Sequence, residues 1–234
     1  MKIGLLLCDH VAEPLRGIAG DYDEMFRRWL GGVFPDAQWR DYDLTVGDRP
    51  RSAMDCDLYV TTGSKASVYD DEPWIHAFAE LVRAIAEARQ PLVGVCFGHQ
   101  MIAHALGGRT AKSPRGWGIG VHTFDVIAPR PWMSPARDRF SLLLSCQDQV
   151  ERLPEGARVL ASSEHCPVAL YEVGHMIGVQ GHPEWTPAYA SALLEMRRER
   201  IGAPLVDAAR QTLSNPIDGV LLARWIREWA VSNV

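Results

Sequence analysis

The sequence predicts an α/β domain, a three-layer α/β/α sandwich with a mostly parallel central sheet. In the first half of the 234-residue chain, short apolar segments alternate with amphipathic helical segments, which is typical of parallel strands joined by crossover helices. After Arg109, apolar and polar residues alternate, a pattern that indicates antiparallel strands. From Thr186 onward the apolar spacing is helical. We therefore expect one domain over residues 1–234, in which residues 186–234 form a helical extension packed on the sandwich.

The first half of the chain is predicted to contain strands and helices in turn. Strands are expected at residues 3–8, 38–44 and 57–61 and from residue 92. Helices are expected from Asp21, from Asp70 and from Met101. The segment with Pro14 and Gly17, between the first strand and the first helix, is predicted to be a polar loop.

The second half is predicted to be a set of antiparallel strands followed by helices. Strand candidates are residues 116–126, 140–144, 158–161, 166–171 and 176–179. Tail helices are expected from Pro187, with residues 197–200 as the end of that helix, and from Asn215. Residues 145–150 are interpreted as a polar connection between strands. The arginine-rich segment 197–200 is interpreted as a solvated helix end, and Trp225 and Trp229 as packing residues.

Charge and cysteine usage argue against several classes of protein. The net charge of -5 and the pI near 5.9 argue against a nucleic-acid-binding protein, since no basic run could neutralise phosphates. The five cysteines are odd in number and form no C-x-x-C pair, so we expect reduced thiols and no metal site. The apolar start of the chain is too short for a signal peptide, and no apolar segment is long enough to cross a bilayer. We expect a soluble, cytoplasmic protein without a nucleic-acid or membrane partner.

Cys96 is the strongest candidate for a catalytic nucleophile. It lies in the pattern Gly94-x-Cys96-x-Gly98, between a predicted buried strand and a predicted helix. A strand, a sharp turn and a helix with a nucleophile at the turn form the nucleophile-elbow arrangement. At the first turn of a helix, unpaired N–H groups and the positive end of the helix dipole favour a thiolate over a thiol. A buried structural cysteine is the commoner role for a lone cysteine, but glycines at this spacing argue against it.

A second candidate stretch, His182-Pro183-Glu184, supplies a base. Pro183 biases His182 toward extended geometry, so His182 and Glu184, two residues apart, are expected to point to the same side. Glu184 would then hold one imidazole nitrogen while the other nitrogen faces a nucleophile that lies far away in the sequence. The other histidines are interpreted as structural. Among them His99, one turn beyond Cys96, is interpreted as a helix-packing residue.

Together the two motifs resemble those of the class I glutamine amidotransferases, which share a Cys-His-Glu triad. Residues 94–100, Gly-Val-Cys-Phe-Gly-His-Gln, resemble the elbow of that family, and residues 181–184, Gly-His-Pro-Glu, resemble its His-Pro-Glu motif. The resemblance covers residues 1 to about 190, and it is closest to stand-alone members similar to the amidotransferase half of GMP synthase. It implies a flavodoxin-like fold and the catalytic residues Cys96, His182 and Glu184.

The resemblance also implies which residues surround the substrate. It places the oxyanion hole at the backbone N–H groups of Ser64 and Phe97. It places substrate contacts at Gly63, Gln100, Gln147 and Asp148. The chain departs from the family pattern twice: Gly63-Ser64-Lys65 stands where the family often has Gly-Gly-Pro, and residues 145–148, Ser-Cys-Gln-Asp, stand where it often has Ser-His-x-Asp. Neither departure touches the triad, but both change the surroundings of the substrate.

These residues predict hydrolysis of an amide through a γ-glutamyl thioester. The substrate is expected to be a small molecule, glutamine or a γ-glutamyl compound, and no cofactor or metal is expected. The chain has no G-x-x-x-x-G-K-[ST] phosphate loop, so ammonia released from glutamine would pass to an acceptor on a separate synthetase subunit. The alternative is a γ-glutamyl peptidase or hydrolase that acts on larger γ-glutamyl amides. A third interpretation, a catalytically silent regulatory module, is opposed by the complete triad.

Overall fold

A mixed β-sheet runs through the centre of the structure, a computed structural model that describes residues 1–233 of the chain. The strands are β1 (Lys2–Leu7), β2 (Gln38–Asp43), β3 (Leu58–Thr61), β4 (Leu92–Val95), β5 (Arg109–Lys112), β6 (Gly118–Val126), β7 (Arg139–Cys146), β8 (Asp148–Arg152), β9 (Arg158–Ser162), β10 (Leu170–Val173) and β11 (Met176–Val179). The helices are α1 (Glu13–Ala19), α2 (Tyr22–Gly31), α3 (Pro73–Glu87), α4 (Phe97–Ala105), α5 (Pro187–Met196), α6 (Arg198–Ile201), α7 (Ala203–Thr212) and α8 (Gly219–Val231).

The order of strands in the main sheet is β2-β1-β3-β4-β11-β10-β9-β6-β7. The first five strands in this order are mutually parallel, and the rest pair antiparallel. Strands β5 and β8 form a separate antiparallel pair. This arrangement confirms the predicted fold class, a mostly parallel sheet followed by antiparallel strands and a helical tail.

Helices cover both faces of the sheet because each buries one apolar stripe against it. On one face Phe26 of α2, Leu193 of α5 and Trp225 of α8 belong to one buried core. On the other face Phe78 of α3 and Met101 of α4 belong to a second core. The sheet between them is buried on both sides, as expected for parallel strands with helical crossovers. Among residues 1–233, no helix has both the length and the apolar character that a bilayer span requires.

Two segments that were predicted to be irregular are regular in the structure. Residues 13–19 form α1 rather than a polar loop, because Pro14 occupies the first turn, where no N–H is needed, while Leu15 and Ala19 are buried. Residues 145–150 are not a polar connection, since β7 extends to Cys146 and β8 begins at Asp148. Their polar side chains are accommodated by specific partners; Gln149, for example, donates to the His165 carbonyl at 3.0 Å.

The tail also differs in detail from the prediction. Helix α7 was not expected, because its helical face buries little more than Val206 and Ala209, which pack near β6. The last helix begins at Gly219 rather than at Asn215. Asp218 lies just before it, and its carboxylate accepts a hydrogen bond from the Ser141 N–H at 2.8 Å, which fixes the start of the helix on β7.

The topology brings four chain segments to one edge of the sheet. The parallel strands β1, β3, β4 and β11 all end there, and each is followed by residues that the sequence or the structure singles out. Asp9 follows β1, Gly63 and Ser64 follow β3, Cys96 follows β4, and residues 180–184 follow β11. The carboxyl ends of parallel strands are the usual location of a ligand crevice in such sheets.

Candidate active site

Cys96 joins β4 to α4 in a backbone conformation that is rare for a residue with a side chain. Its φ is 50° and its ψ is -95°. Its N–H donates to the Val179 carbonyl at 2.8 Å, which ties the turn to the neighbouring strand β11. Such conformations cost on the order of 1–3 kcal/mol and persist only where the surroundings fix them. The turn therefore holds the sulfur in one place at the end of the sheet.

The glycines on each side of Cys96 allow the strand and the helix to approach closely. A Cβ atom at Gly94 would lie 2.5 Å from the Gly98 carbonyl oxygen. A Cβ atom at Gly98 would collide with the Thr61 side chain on β3. Cβ atoms do not tolerate contacts this short, with backbone at Gly94 or with the β-branched Thr61 side chain at Gly98, so the tight elbow requires glycine at both positions. The close backbone approach inferred from the sequence is present in the structure.

His182 and Glu184 form a buried pair beside Cys96. Nδ1 of His182 lies 2.7 Å from Oε1 of Glu184, and the side chains are only 3% and 0% exposed. The His182 N–H donates to the Leu143 carbonyl at 2.8 Å, and its ring stacks on Trp185 with centroids 3.6 Å apart. The imidazole is thus fixed by three contacts: the backbone hydrogen bond to Leu143, the stacking of one ring face on Trp185, and the Nδ1 contact with Glu184. Nε2 is left as the nitrogen for an interaction with the Cys96 sulfur.

Burial and nearby charges shift the pKa of His182 in opposite directions. Burial lowers the pKa of its imidazole, but the charges of Glu184 and Cys96, together with hydrogen bonds to both, outweigh burial and raise this pKa to about 9. A raised pKa means that the ring keeps its proton at neutral pH. His182 is therefore an imidazolium beside the sulfur under physiological conditions.

The predicted oxyanion hole consists of the backbone N–H groups of Ser64 and Phe97. Among residues 1–233, neither the Ser64 N–H nor the Phe97 N–H donates to a backbone carbonyl. Phe97 is 1% exposed and begins α4, so its N–H belongs to the unpaired first turn of that helix. Ser64 lines the cleft together with Cys96. Unpaired N–H groups such as these are available to a ligand, and donors of this kind suit an oxyanion that forms during a reaction.

The loop that carries Ser64 is fixed by residues at the end of β1. The Lys65 N–H donates to the Asp9 carboxylate at 3.0 Å, and Lys65 Nζ lies 3.0 Å from the same carboxylate. The Cys8 N–H donates to Thr62 Oγ1 at 2.9 Å. Asp9 was not predicted to contribute to the site. Its two contacts hold the loop at the position where this chain departs from Gly-Gly-Pro.

The residues predicted to contact substrate are placed differently from one another. Gln100, Gln147 and Asp148 line the cleft. Gln100 Nε2 donates to the Asp148 carbonyl at 2.8 Å, and the Asp148 carboxylate accepts from Ser67 Oγ at 2.5 Å and from the Tyr69 hydroxyl at 3.0 Å. In the structure Gln100 and Asp148 are therefore held in the cleft by hydrogen bonds with protein groups. Their contacts with a substrate stay predictions.

Gly63 packs against His182 and is not among the residues that line the cleft. A Cβ atom at this position would lie 2.8 Å from His182 Cε1 and 3.6 Å from the Cys96 Cβ. A side chain at position 63 would therefore displace the imidazole. This contact gives Gly63 a steric role next to the triad, and its predicted contact with substrate stays untested.

Two arginines that were interpreted as a solvated helix end lie at the cleft instead. Arg197 and Arg200 line it, as do Lys112 at the end of β5 and Trp117 before β6. The sequence showed the arginine cluster but not what faces it, because that depends on how α5 packs against β7. Arg198, between them, fits the original interpretation, since it pairs with Asp207 at 2.7 Å on the surface.

Gln180 is a site residue that the sequence analysis did not single out. It is fully buried, and its Nε2 donates a hydrogen bond to Cys96 Sγ at 3.6 Å. Its Oε1 accepts from Gln100 Nε2 at 3.2 Å. Gln180 lies two residues before His182, and this spacing, which places side chains on one side of an extended chain, was the available signal.

His99 packs away from the reaction centre, on α4. It is 0% exposed, and its ring makes an edge contact with Tyr171 at 4.9 Å between centroids. Burial lowers the pKa of His99 to about 4. A ring that is neutral and enclosed in this way has the geometry of a packing residue.

The sequence was compared with families and with individual proteins of known identity. The profile of the glutamine amidotransferase class-I family matches residues 42–197. Gamma-glutamyl peptidase 3 of Arabidopsis thaliana is 30% identical over 191 residues, which cover 77% of this chain and 75% of that protein. The glutamine-hydrolysing GMP synthase of Thermomicrobium roseum is 35% identical over 126 residues, which cover 53% of this chain and 23% of that protein.

Solved structures show the same fold. The crystal structure of a glutamine amidotransferase from Thermotoga maritima superposes with a TM-score of 0.76 at 18% sequence identity, and the match covers 98% of this chain and 96% of the other. At this level of identity the likeness concerns the fold alone. It includes the helical tail as well as the sheet.

Proposed function

The chain belongs to the class I glutamine amidotransferase family, and from this membership we propose that it hydrolyses a γ-glutamyl amide through a thioester on Cys96. One observation carries the proposal: a cysteine on a strained elbow lies beside a buried His182–Glu184 pair joined at 2.7 Å. A nucleophile, a base and a group that orients the base are the three parts that cysteine-dependent acyl transfer needs.

In the first half of the reaction, the Cys96 sulfur attacks the γ-carbonyl carbon of the substrate. A C–S bond forms, and the carbonyl oxygen becomes an oxyanion that the N–H groups of Ser64 and Phe97 stabilise. Each such donor contributes about 10²–10³ in rate. The imidazolium of His182 then gives its Nε2 proton to the leaving nitrogen, the C–N bond breaks, and a γ-glutamyl thioester remains.

In the second half, water replaces the amine. His182, now neutral, accepts a proton from a water molecule as the water oxygen attacks the thioester carbonyl. Collapse of the second oxyanion expels the Cys96 thiolate and releases a γ-carboxylate. Glu184 holds Nδ1 throughout, which keeps the ring in the tautomer that presents Nε2 and stabilises the imidazolium.

Two substrate classes fit this chemistry. If the substrate is glutamine, the product is ammonia, and the chain would supply it to a synthetase partner. The GMP synthase relative supports this candidate, although the match covers 23% of that protein. If the substrate is a γ-glutamyl peptide, the chain would act alone. The peptidase relative, matched over 75% of its length, supports this second candidate.

The test is the turnover of both substrates by the isolated chain. Purified protein is incubated with glutamine or with a γ-glutamyl dipeptide, and glutamate release is measured beside the Cys96→Ser variant. We expect release that depends on Cys96 from at least one substrate. Faster turnover of the dipeptide favours the peptidase candidate, and faster turnover of glutamine favours the glutaminase candidate. No turnover of either by folded protein contradicts the proposed hydrolysis and favours a silent module.

We also propose a reducing cellular compartment, the cytoplasm, for this protein. All five cysteines are free thiols in the structure, and each is buried. A nucleophilic thiolate keeps its activity only where it is not oxidised, which supports a reducing setting.

A further inference from the structure

The cleft at Cys96 has one strongly basic wall. Lys112, Arg197 and Arg200, which we call the basic wall, line it. One acidic residue, Asp148, is also among the lining residues, and hydrogen bonds from Ser67 and Tyr69 already engage its carboxylate. The cleft therefore carries an excess of positive charge in a protein whose net charge is -5.

The three cations on this wall have no acidic partner in the protein. Across residues 1–233, no carboxylate lies within 4.0 Å of a side-chain nitrogen of Lys112, Arg197 or Arg200. The neighbouring Arg198 shows the contrast, since its guanidinium makes two hydrogen bonds with Asp207, at 2.7 and 2.9 Å. Lys65 also lines the cleft but is paired with Asp9 at 3.0 Å, so the lining cations left available for an anion are Lys112, Arg197 and Arg200.

The two arginines are also held in place before any ligand arrives. Arg197 Nη1 donates to Ser145 Oγ on the buried strand β7 at 2.9 Å. The guanidinium of Arg200 lies over the Trp117 ring, 5.2 Å from its centroid. A guanidinium has five N–H donors, so each retains enough free donors to bind a carboxylate through two parallel hydrogen bonds. Such preorganisation reduces the entropy lost on binding.

Free glutamine does not account for this wall. It carries a single anionic group, the α-carboxylate, and its leaving group is ammonia, which has nothing to bind. We propose that Lys112, Arg197 and Arg200 form a subsite for an anionic group on the amine side of the scissile bond. The preferred substrates are then γ-glutamyl amides whose amine portion carries a carboxylate. This proposal rests on the proposed function and specifies its substrate class.

The reaction on such a substrate follows the steps already given. The Cys96 sulfur bonds to the γ-carbon, the C–N bond breaks, and the nitrogen takes a proton from His182 and leaves as an amino acid or peptide. Water then cleaves the thioester, so the sum is one γ-glutamyl amide and one water giving glutamate and a free amine. The basic wall acts before the C–N bond breaks, while the anionic portion is still attached.

The test compares substrates that differ in one charge. γ-Glutamylglycine has a free carboxylate on its amine side, γ-glutamylglycinamide is neutral there, and glutamine has no amine-side group. We expect the wild-type protein to show a kcat/KM about tenfold or more higher for γ-glutamylglycine than for the amide, which is the effect of a charge-assisted hydrogen bond.

Variants of the basic wall test whether these cations cause the preference. In the Lys112→Gln/Arg200→Gln double variant and in Arg197→Gln, the ratio of the two kcat/KM values should fall toward one. Added salt should also reduce the ratio in the wild type. Arg224→Gln, an exposed arginine outside the cleft, serves as the matched control and should leave the ratio unchanged.

Two outcomes overturn the subsite. If the variants lose activity equally on all three substrates, the cations hold the glutamyl portion instead. If the wild type does not distinguish γ-glutamylglycine from its amide, the wall selects no amine-side anion. Binding of both compounds to Cys96→Ser protein, measured by calorimetry, separates this failure from failure of the proposed function. If binding depends on the charge but the wild type turns over neither compound, the hydrolysis is contradicted and the subsite is supported. If the wild type turns over both compounds without preferring the charged one, the hydrolysis is supported and the subsite is contradicted.

Discussion

The side-chain amide of Gln180 donates a hydrogen bond to Cys96 Sγ at a distance of 3.6 Å. Because Gln180 is fully buried and its Oε1 accepts from Gln100, its N–H₂ group cannot turn away without breaking a second hydrogen bond. A fixed donor of this kind stabilises the sulfur most when the sulfur is negatively charged. Gln180 is thus a positioning residue for the proposed nucleophile.

The first prediction concerns this contact. Gln180→Leu removes the donor while keeping the approximate volume, and we expect kcat/KM to fall about tenfold, the value of one charge-assisted hydrogen bond. The rate of alkylation of Cys96 by iodoacetamide, measured against pH, should move to higher pH in the same variant. A purely structural role would lower the melting temperature and leave that alkylation profile in place, which would contradict the assignment.

The second prediction concerns the selectivity of thiol labelling. Burial raises the pKa of the other four thiols, Cys8, Cys56, Cys146 and Cys166, and for Cys166 it does so to about 12. Iodoacetamide near neutral pH should therefore label Cys96 first, with loss of activity in parallel. Peptide mass spectrometry identifies the labelled residue. Cys96→Ser should remain folded, should not be labelled rapidly, and should lose about 10³-fold or more in rate. If Cys146 or Cys166 were labelled first, the assignment of Cys96 as the nucleophile would be wrong.

The third prediction concerns pH. In the proposed mechanism His182 gives a proton to the leaving nitrogen, so the ring must be protonated before the reaction begins. The pKa of His182, about 9, then sets the upper limit of the active pH range. We expect kcat/KM to fall as pH rises through about 9. Glu184→Gln removes the carboxylate that raises this pKa, so the falling limb should move to lower pH and the rate at neutral pH should drop by about 10²-fold or more.

A control and a double variant make that prediction specific. Glu155→Gln, at an exposed position, should leave the pH profile unchanged. His182→Ala should cost at least as much as Glu184→Gln, and the combination should add little, because groups that act as a unit are not additive. If the decrease in rate of the double variant equalled the product of the fold-decreases of the two single variants, Glu184 would not act through His182.

The fourth prediction separates His99 from the catalytic residues. The pKa of His99 is about 4 in the folded protein, against 6.5 for an ordinary histidine, so the unfolded chain binds a proton at a higher pH than the native protein does. Stability from this residue is complete above pH 6.5 and is lost as pH falls toward 4. Between pH 7 and pH 5 the loss is about 2 kcal/mol.

Urea unfolding at both pH values measures that loss in the wild type and in His99→Leu. The variant should lose less stability on acidification and should retain most of its activity, while the exposed His76→Gln should behave like the wild type. A folded but inactive His99→Leu, together with an active His182→Ala, would place the base on α4 and refute the His182 assignment.

The arrangement of residues that are close in sequence could be predicted from sequence. The elbow around Cys96 is formed by nine consecutive residues, 92–100, and its glycines are required by contacts within the elbow and with the adjacent strand. The spacing of His182 and Glu184 likewise follows from local extended geometry, and their 2.7 Å contact agrees with it. Catalytic roles for these residues stay proposals. The local structure around them can be predicted because strands, turns and helix starts depend on neighbouring residues.

The proximity of Cys96 to the His182–Glu184 pair depends on tertiary structure. Cys96 and His182 are brought together because β11 inserts beside β4 in parallel, a pairing between strands about eighty positions apart that local patterns do not encode. Arg197 reaches the cleft for the same reason, since its position depends on the packing of α5 against β7, and a basic helix end has the same sequence pattern whether it faces solvent or a substrate. By itself the sequence determined the fold class and the candidate nucleophile and base, through periodicity and turn chemistry that act over a few residues. Only the tertiary structure decided which charges surround them, because long-range strand order and helix packing set the distances on which electrostatic recognition depends.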